Sequence, residues 1–175
     1  GETTVGPYSK IGGEVSTSVP FGFSNKAHDG YLGNSIIGEW CNLGAGTSNS
    51  NLKNNYTPVK MWNYESRGFD ETGLQFCGLI MGDHSKAGIN TMFNTGSTVG
   101  VSANLFGEGF PRQIIPSFAW GGSRGLMTYR FDKAIETIRS VMSRRDIKLP
   151  EEDLKILKYI FDMTSEVRIW EKQSK

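Results

Sequence analysis

Apolar residues recur every six positions through much of the first 125 residues. Met81, Ala87, Phe93, Val99 and Leu105 are each six apart, and the residues after them are Gly82, Gly88, Asn94, Gly100 and Phe106. The same step joins Val5-Gly6 to Ile11-Gly12, Phe21-Gly22 to Ala27-His28, and Ile37-Gly38 to Leu43-Gly44. A half-buried strand alternates by two and an amphipathic helix recurs at three and four, so this spacing fits neither. It fits the hexapeptide repeat of a parallel β-helix, an all-β solenoid. One residue per hexad points into a narrow core, and a following Gly or Asn suits a corner with positive φ. Three hexads make one triangular coil, and coils stack through strand hydrogen bonds. In this phase Ala27 points inward and His28 lies just past the turn. The competing architecture is a β-sandwich with Gly turns, whose turns come every ~8–12 residues without a fixed six-residue phase.

Two features interrupt the repeat. Between Asn49 and Gly78 the stretch "SNLKNNYTPVKMWNYESRGFDETGLQF" carries Pro, charges and aromatics, too polar for an inward row. It is expected to leave the coil at about residues 50–77 as a protruding loop or short hairpin, either a binding loop or an edge cover or subunit contact. Then, from about Gly125, the spacing turns helical. Phe131, Ile135, Ile138, Val141 and Met142 predict one helix, with Asp132 near its start and Arg144-Arg145 near its end. "LPEEDLKILKYIFDM" predicts a second, with Pro150 as its first residue and Leu154, Leu157, Ile160 and Phe161 on one face. The expected division is a β-helix over 1–124 and a short α-helical C-terminal appendage over 125–175, the latter for packing rather than chemistry. The Gly-, Pro- and aromatic-rich "FGEGFPRQIIPSFAWGGSRG" is expected to be an irregular cap or a pocket wall.

Composition narrows the function classes. The 22 glycines concentrate in the repeat regime. A net charge of +1 gives no electrostatic case for nucleic acid or an anionic membrane, and no stretch approaches the ~20 apolar residues of a membrane span. Cys41 and Cys77 sit among apolar or small residues and read as buried free thiols, which fits a cytoplasmic setting. The chain opens without a leader pattern and without Met, and the expectation is a piece of a longer protein. His84, in "MGDHSKAG", reads as an exposed turn residue, with a subunit or coenzyme contact as the alternative. With two histidines far apart, the three-His zinc sites found on some hexapeptide β-helices are not matched, and no metal is expected.

The chemistry concentrates in "KAHDGYLGNSIIGEWCNLGAGTSNSN", Lys26 to Asn51. A histidine at a coil corner is a competent general base near neutral pH. This stretch resembles the acetyltransferase domain of the bifunctional glucosamine-1-phosphate acetyltransferase / N-acetylglucosamine-1-phosphate uridyltransferase family. The resemblance rests on His28, Tyr31-Leu32-Gly33, Ile37-Gly38, Asn42-Leu43-Gly44-Ala45-Gly46-Thr47 and Asn51 in unbroken spacing. It is strong over about 30 residues, stays in repeat register to about Gly109, and is absent from the helical tail.

The resemblance implies left-handed coiling, a homotrimer and acetyl-CoA as co-substrate. It implies His28 as the base that deprotonates the amine of an amino-sugar phosphate. Tyr31, Asn42 and Asn51 fall on sugar-contacting positions, and Lys53 is a candidate for the phosphate. Gly44, Ala45, Gly46, Ile89 and Gly107 fall along the coenzyme side, where the glycines permit close backbone approach. The sequence also departs from the family. Leu52 follows Asn51 where the family has Tyr, Ser16 falls at or near a phosphate-binding Lys, and Ile89 replaces a serine on a coenzyme-binding turn. The family's other half, an N-terminal sugar-phosphate nucleotidyltransferase domain, has no counterpart in these residues and is expected ahead of them. The alternative function is a non-catalytic trimerisation or regulatory domain of a sugar-1-phosphate nucleotidyltransferase.

Overall fold

A computed structural model describes residues 2–172. The chain winds as a left-handed parallel β-helix with three faces. The first coil holds β1 (Lys10–Ile11), β2 (Glu14–Ser16) and β3 (Val19–Pro20). The second holds β4 (Asn25–Lys26), β5 (Tyr31–Gly33) and β6 (Ile36–Ile37). The third opens with β7 (Asn42–Leu43) and β8 (Ser48–Asn49), and then the chain leaves it. That excursion is an antiparallel hairpin, β9 (Lys60–Asn63) and β10 (Gly68–Glu71), before β11 (Leu79–Met81) closes the coil. Above it come β12 (Lys86–Ala87), β13 (Met92–Phe93) and β14 (Ser97–Val99), then β15 (Asn104–Leu105) and β16 (Ile114–Ile115). β17 (Ala119–Gly122) adds one more parallel strand to the first face, and β18 (Gly125–Thr128) turns back antiparallel on it.

Each short strand alternates one outward residue with one inward residue, so parallel pairing stacks like positions into columns. On the first face Ile11, Lys26, Leu43, Ala87, Leu105 and Gly121 are in register. On the third face Pro20, Ile37, Met81, Val99 and Ile115 are in register. Leu32 and Phe93 fill the second face, and these columns form one continuous core. Each fully buried aliphatic or aromatic side chain contributes about 1.5–3 kcal/mol. The corners are polar but satisfied: buried Ser18, Ser24, Ser35 and Ser85 hydrogen-bond main-chain groups of adjacent coils.

The early coils depart from the six-residue phase. Pro20 and Lys26 face inward, whereas Phe21 and Ala27 are exposed. Pairing of β1 with β4 sets Lys26 over Ile11, and pairing of β3 with β6 sets Pro20 beside Ile37. The aliphatic stem of Lys26 packs like an apolar residue while its ammonium reaches the corner carbonyls. Residues 106–125 are also more regular than an irregular cap, because β16 and β17 extend two faces of the coil.

The corner between the third and first faces carries a column of left-handed residues: Tyr8, Phe23, Trp40, His84, Ser102 and Phe118, with φ from 54° to 61°. Their aromatic rings stack, with Phe23 and Trp40 centroids 4.1 Å apart. His84 continues the stack beyond Trp40 at 6.4 Å. It is therefore a half-buried member of a ring column and not an exposed turn residue. α1 (Phe131–Ser143) lays Ala134, Ile135, Ile138 and Met142 over this column, and α2 (Glu151–Met163) packs beside it through Leu157, Leu154, Ile160 and Phe161. Pro150 stands one position before α2, not at its first residue. Arg168, 1 % exposed, ties the following 3₁₀ turns to Ser117 of the coil. Among the described residues no helix is long and apolar enough to cross a membrane.

Candidate functional site

Tyr31 points outward from β5, and its ring lies along its own strand over Gly33. A Cβ at Gly33 would collide with the tyrosine hydroxyl, so the absent side chain is what allows this pose. The hydroxyl accepts a hydrogen bond from Asn51 Nδ2 at 2.8 Å and lies 3.2 Å from Ser16 Oγ. Asn51 Nδ2 also donates to Asn34 Oδ1 at 2.7 Å. Asn34 sits at the corner after β5 with φ 49°. Asn51 is placed by the neck of the insertion, where its carbonyl accepts the Cys77 amide at 2.9 Å and Leu52 bridges Phe76. Four residues from three separate stretches of the chain, Ser16, Tyr31, Asn34 and Asn51, thus meet on the outside of the second face.

His28 stands at the adjoining corner, between the first and second faces. It is exposed, and its imidazole makes no hydrogen bond among the described residues. Its backbone is fastened from within. Lys26, 2 % exposed, sends its ammonium to the carbonyls of Gly12 (3.1 Å), His28 (2.9 Å) and Asp29 (3.1 Å). Burial lowers the lysine's pKa, with Asp29 opposing.

The next coils continue the same corner. A Cβ on Gly44 would lie 2.6 Å from the Ile89 amide nitrogen, and one on Gly46 would meet the Asn90 side chain. The room these glycines leave is therefore taken by the next coil of the chain itself. The Ala45 carbonyl accepts the Asn90 amide at 2.7 Å. Ile89 is 71 % exposed, and Gly107 opens onto empty space at φ 99°. The result is a ledge poor in side chains with one apolar projection. Gly44–Gly46, Ile89 and Gly107 contribute no cation for phosphate groups.

The remaining candidates lie elsewhere. Asn42 projects from the first face, in register with Asn25 and Lys86, and is not part of the Tyr31 cluster. Lys53 is on the insertion and spends a hydrogen bond on the Pro58 carbonyl at 2.8 Å. Both cysteines are free and buried. Burial, opposed by Lys86, pushes the Cys41 thiol up to about 12, so the sulfur is held as the protonated thiol near neutral pH. No group of three metal-ligating side chains occurs among the described residues. Asn34 and Lys26 were not singled out by the sequence. Lys26 shows its place only once β1 and β4 are paired.

No protein-family model matches the chain. Curated proteins do match it. It is 39% identical over 87 residues to the bifunctional protein GlmU of Methanocaldococcus jannaschii, covering 50% of this chain and 21% of that protein. It is 34% identical over 94 residues to the GlmU of Methanococcus maripaludis strain C5, covering 54% and 22%. It is 34% identical over 100 residues to a bifunctional sugar-1-phosphate nucleotidylyltransferase/acetyltransferase of Sulfurisphaera tokodaii, covering 56% and 24%. The chain is homologous to part of these GlmU-type proteins. It spans less than a quarter of the length of the relatives it matches. The GlmU-type similarity covers 50–56% of the chain in these three comparisons.

Proposed function

We propose that this chain carries the acetyl-transfer function of a bifunctional sugar-nucleotide biosynthesis enzyme, with an amino-sugar phosphate as acceptor and acetyl-CoA as donor. The observation that supports it most is the Tyr31–Asn51 hydrogen bond on the second face, with an exposed, unencumbered His28 at the corner that opens that face. His28 takes the proton from the acceptor amine as its nitrogen attacks the acetyl carbonyl, and returns a proton to the departing thiolate, so a C–N bond replaces a C–S bond. Such a base is worth ~10²–10⁴-fold. The acetyl-CoA thioester supplies the activated acyl group. Tyr31 and Asn51 hold acceptor hydroxyls, while the corner of Gly44, Ala45, Gly46, Ile89 and Gly107 holds the pantetheine arm. Asn42 and Lys53 reach the same acceptor across the boundary of a homotrimer. The nucleotidylyltransferase half named in the relatives belongs to a segment outside this chain.

A second reading is favoured by one observation. Ser16, on the Tyr31 surface, is uncharged, and the Lys53 ammonium on the insertion is engaged by Pro58. A domain that only trimerises and regulates needs no phosphate contact there. Thiol release from acetyl-CoA with glucosamine 1-phosphate, measured on wild type and His28→Ala, separates the two. Turnover that falls about 100-fold or more in the variant supports acetyl transfer. A trimer by light scattering with no turnover and no calorimetric acetyl-CoA binding supports the regulatory reading. A monomer counts against both.

A further inference from the structure

A groove of about 480 Å³ runs along the start of the first face, beneath the C-terminal end of α1. Lys10 and Lys86 line it from the coil, and Arg144 and Arg145 from the helix end. No carboxylate lines it; Asp146 follows Arg145 in the chain but is not in the wall. None of the four cations makes an ion pair among the described residues, although seven other basic side chains do.

Structure explains only part of this. The half-charge at a helix C-terminus favours nearby Arg, but about −0.5 elementary charge does not balance four cations. Lys86 gives two of its three N–H bonds to the Trp40 and His84 carbonyls, at 2.7 and 3.0 Å, and keeps one. Asn25 and Asn42 add amide groups to the wall. The Asn25 amide oxygen is buried with no partner, an acceptor left waiting for a hydroxyl. The faces of Phe23 and Trp40 are occupied by their own stack and by α1, so no aromatic platform is offered to a planar base. Unpaired cations from two elements, with neutral amides between them, make a site for a compact oxyanion carrying hydroxyl groups.

We infer that this groove binds the phosphate group of a small phosphorylated ligand. The groove contains none of Tyr31, Asn51 and His28 and shares only Asn42 with the acceptor contacts proposed above; its four cations are not used by that reading. The shared chemistry is a dianionic terminal phosphate, which either a sugar phosphate or a nucleoside diphosphate supplies.

Isothermal titration calorimetry on the full 175-residue chain tests it, with inorganic pyrophosphate as the first probe. One site per chain is expected. Arg144→Ala/Arg145→Ala should weaken binding about tenfold or more, and Lys10→Gln on the opposite wall should weaken it as well. All three side chains are exposed and unpaired, so the melting temperature and far-ultraviolet dichroism should hold. Glucosamine 1-phosphate and uridine diphosphate then identify the source: tighter binding of either, lost in the same variants, supports the site. Absence of binding by every probe at millimolar concentration overturns it. So does binding that the arginine pair and Lys10→Gln leave unchanged.

Discussion

The Asn51 amide donates to the Tyr31 hydroxyl at 2.8 Å across one coil boundary, and Gly33 is the residue that lets the ring reach it. This pair is positioned by backbone features, the bare Gly33 and the neck of the insertion. Two substitutions separate contact from placement. Tyr31→Phe removes only the hydroxyl and should cost about 1 kcal/mol of stability or less, because Asn51 keeps its bond to Asn34. Gly33→Ala keeps the hydroxyl but displaces the ring. If the cluster binds the acceptor, both should raise acceptor KM while leaving acetyl-CoA KM unchanged. Unaltered acceptor KM in both would remove the cluster from the site.

Lys26 holds the His28 corner from inside. Lys26→Leu matches the neighbouring Ile11 and Leu43 in shape but strips three carbonyls of their donor. Leaving such groups unpaired costs about 1–3 kcal/mol each when buried, less where the corner opens to water. The expected outcome is a lower melting temperature in Lys26→Leu than in Ala27→Leu, whose side chain points to solvent. Equal melting temperatures would mean that water serves these carbonyls as well as the ammonium does.

The upper coils were readable because Met81, Ala87, Phe93, Val99 and Leu105 are apolar and evenly spaced, which only an inward column requires. The lower coils were not, because an inward Lys26 looks like a surface residue until three carbonyls converge on its ammonium. The left-handed corner column is hidden in the sequence for a related reason. Phe23 and Trp40 are 17 positions apart, a separation without meaning until coils stack. The helices were legible from their own periodicity, but their docking surface was that hidden column. At the candidate site the resemblance singled out Tyr31 and Asn51 as separate positions, but their hydrogen bond depends on coil stacking and Asn34 on the corner conformation that turns it toward Asn51.

His84 makes acid stability sensitive to one ring. Burial, with Lys86 adding, lowers its pKa from 6.5 to about 4, and its Nδ1 is buried without a partner. Between these values the unfolded chain takes up a proton that the folded chain refuses. Stability from this group is therefore present above about pH 6.5 and is lost as pH falls towards 4. The slope is at most about 1.4 kcal/mol per pH unit for one proton. His84→Phe suits a column in which Phe23 and Phe118 already hold φ near 58°. Melting temperature against pH should fall less steeply in this variant than in wild type below pH 6.5. Parallel curves would assign the acid limb to other groups.

Arg168 is the clasp between the C-terminal turns and the coil. Its guanidinium donates to the Phe161 carbonyl at 2.9 Å, Thr164 Oγ1 at 3.1 Å, Glu171 Oε1 at 2.7 Å and the Ser117 carbonyl at 3.4 Å, and lies 4.5 Å over the Phe161 ring. Removing one member of a buried charged pair costs about 3–5 kcal/mol, reduced here because the Glu171 side chain is 34% exposed. Arg168→Met keeps the stem and loses every donor. Arg168→Lys keeps the charge but lacks the planar fork that serves several acceptors at once. Both should loosen α2 and the 3₁₀ turns while the coil columns stay closed, since no coil core residue depends on the guanidinium. Hydrogen exchange by mass spectrometry should show protection falling over 151–172 and holding over β11 to β15. A uniform loss across the chain would mean that the tail and the coil unfold as one unit and that Arg168 stabilises both.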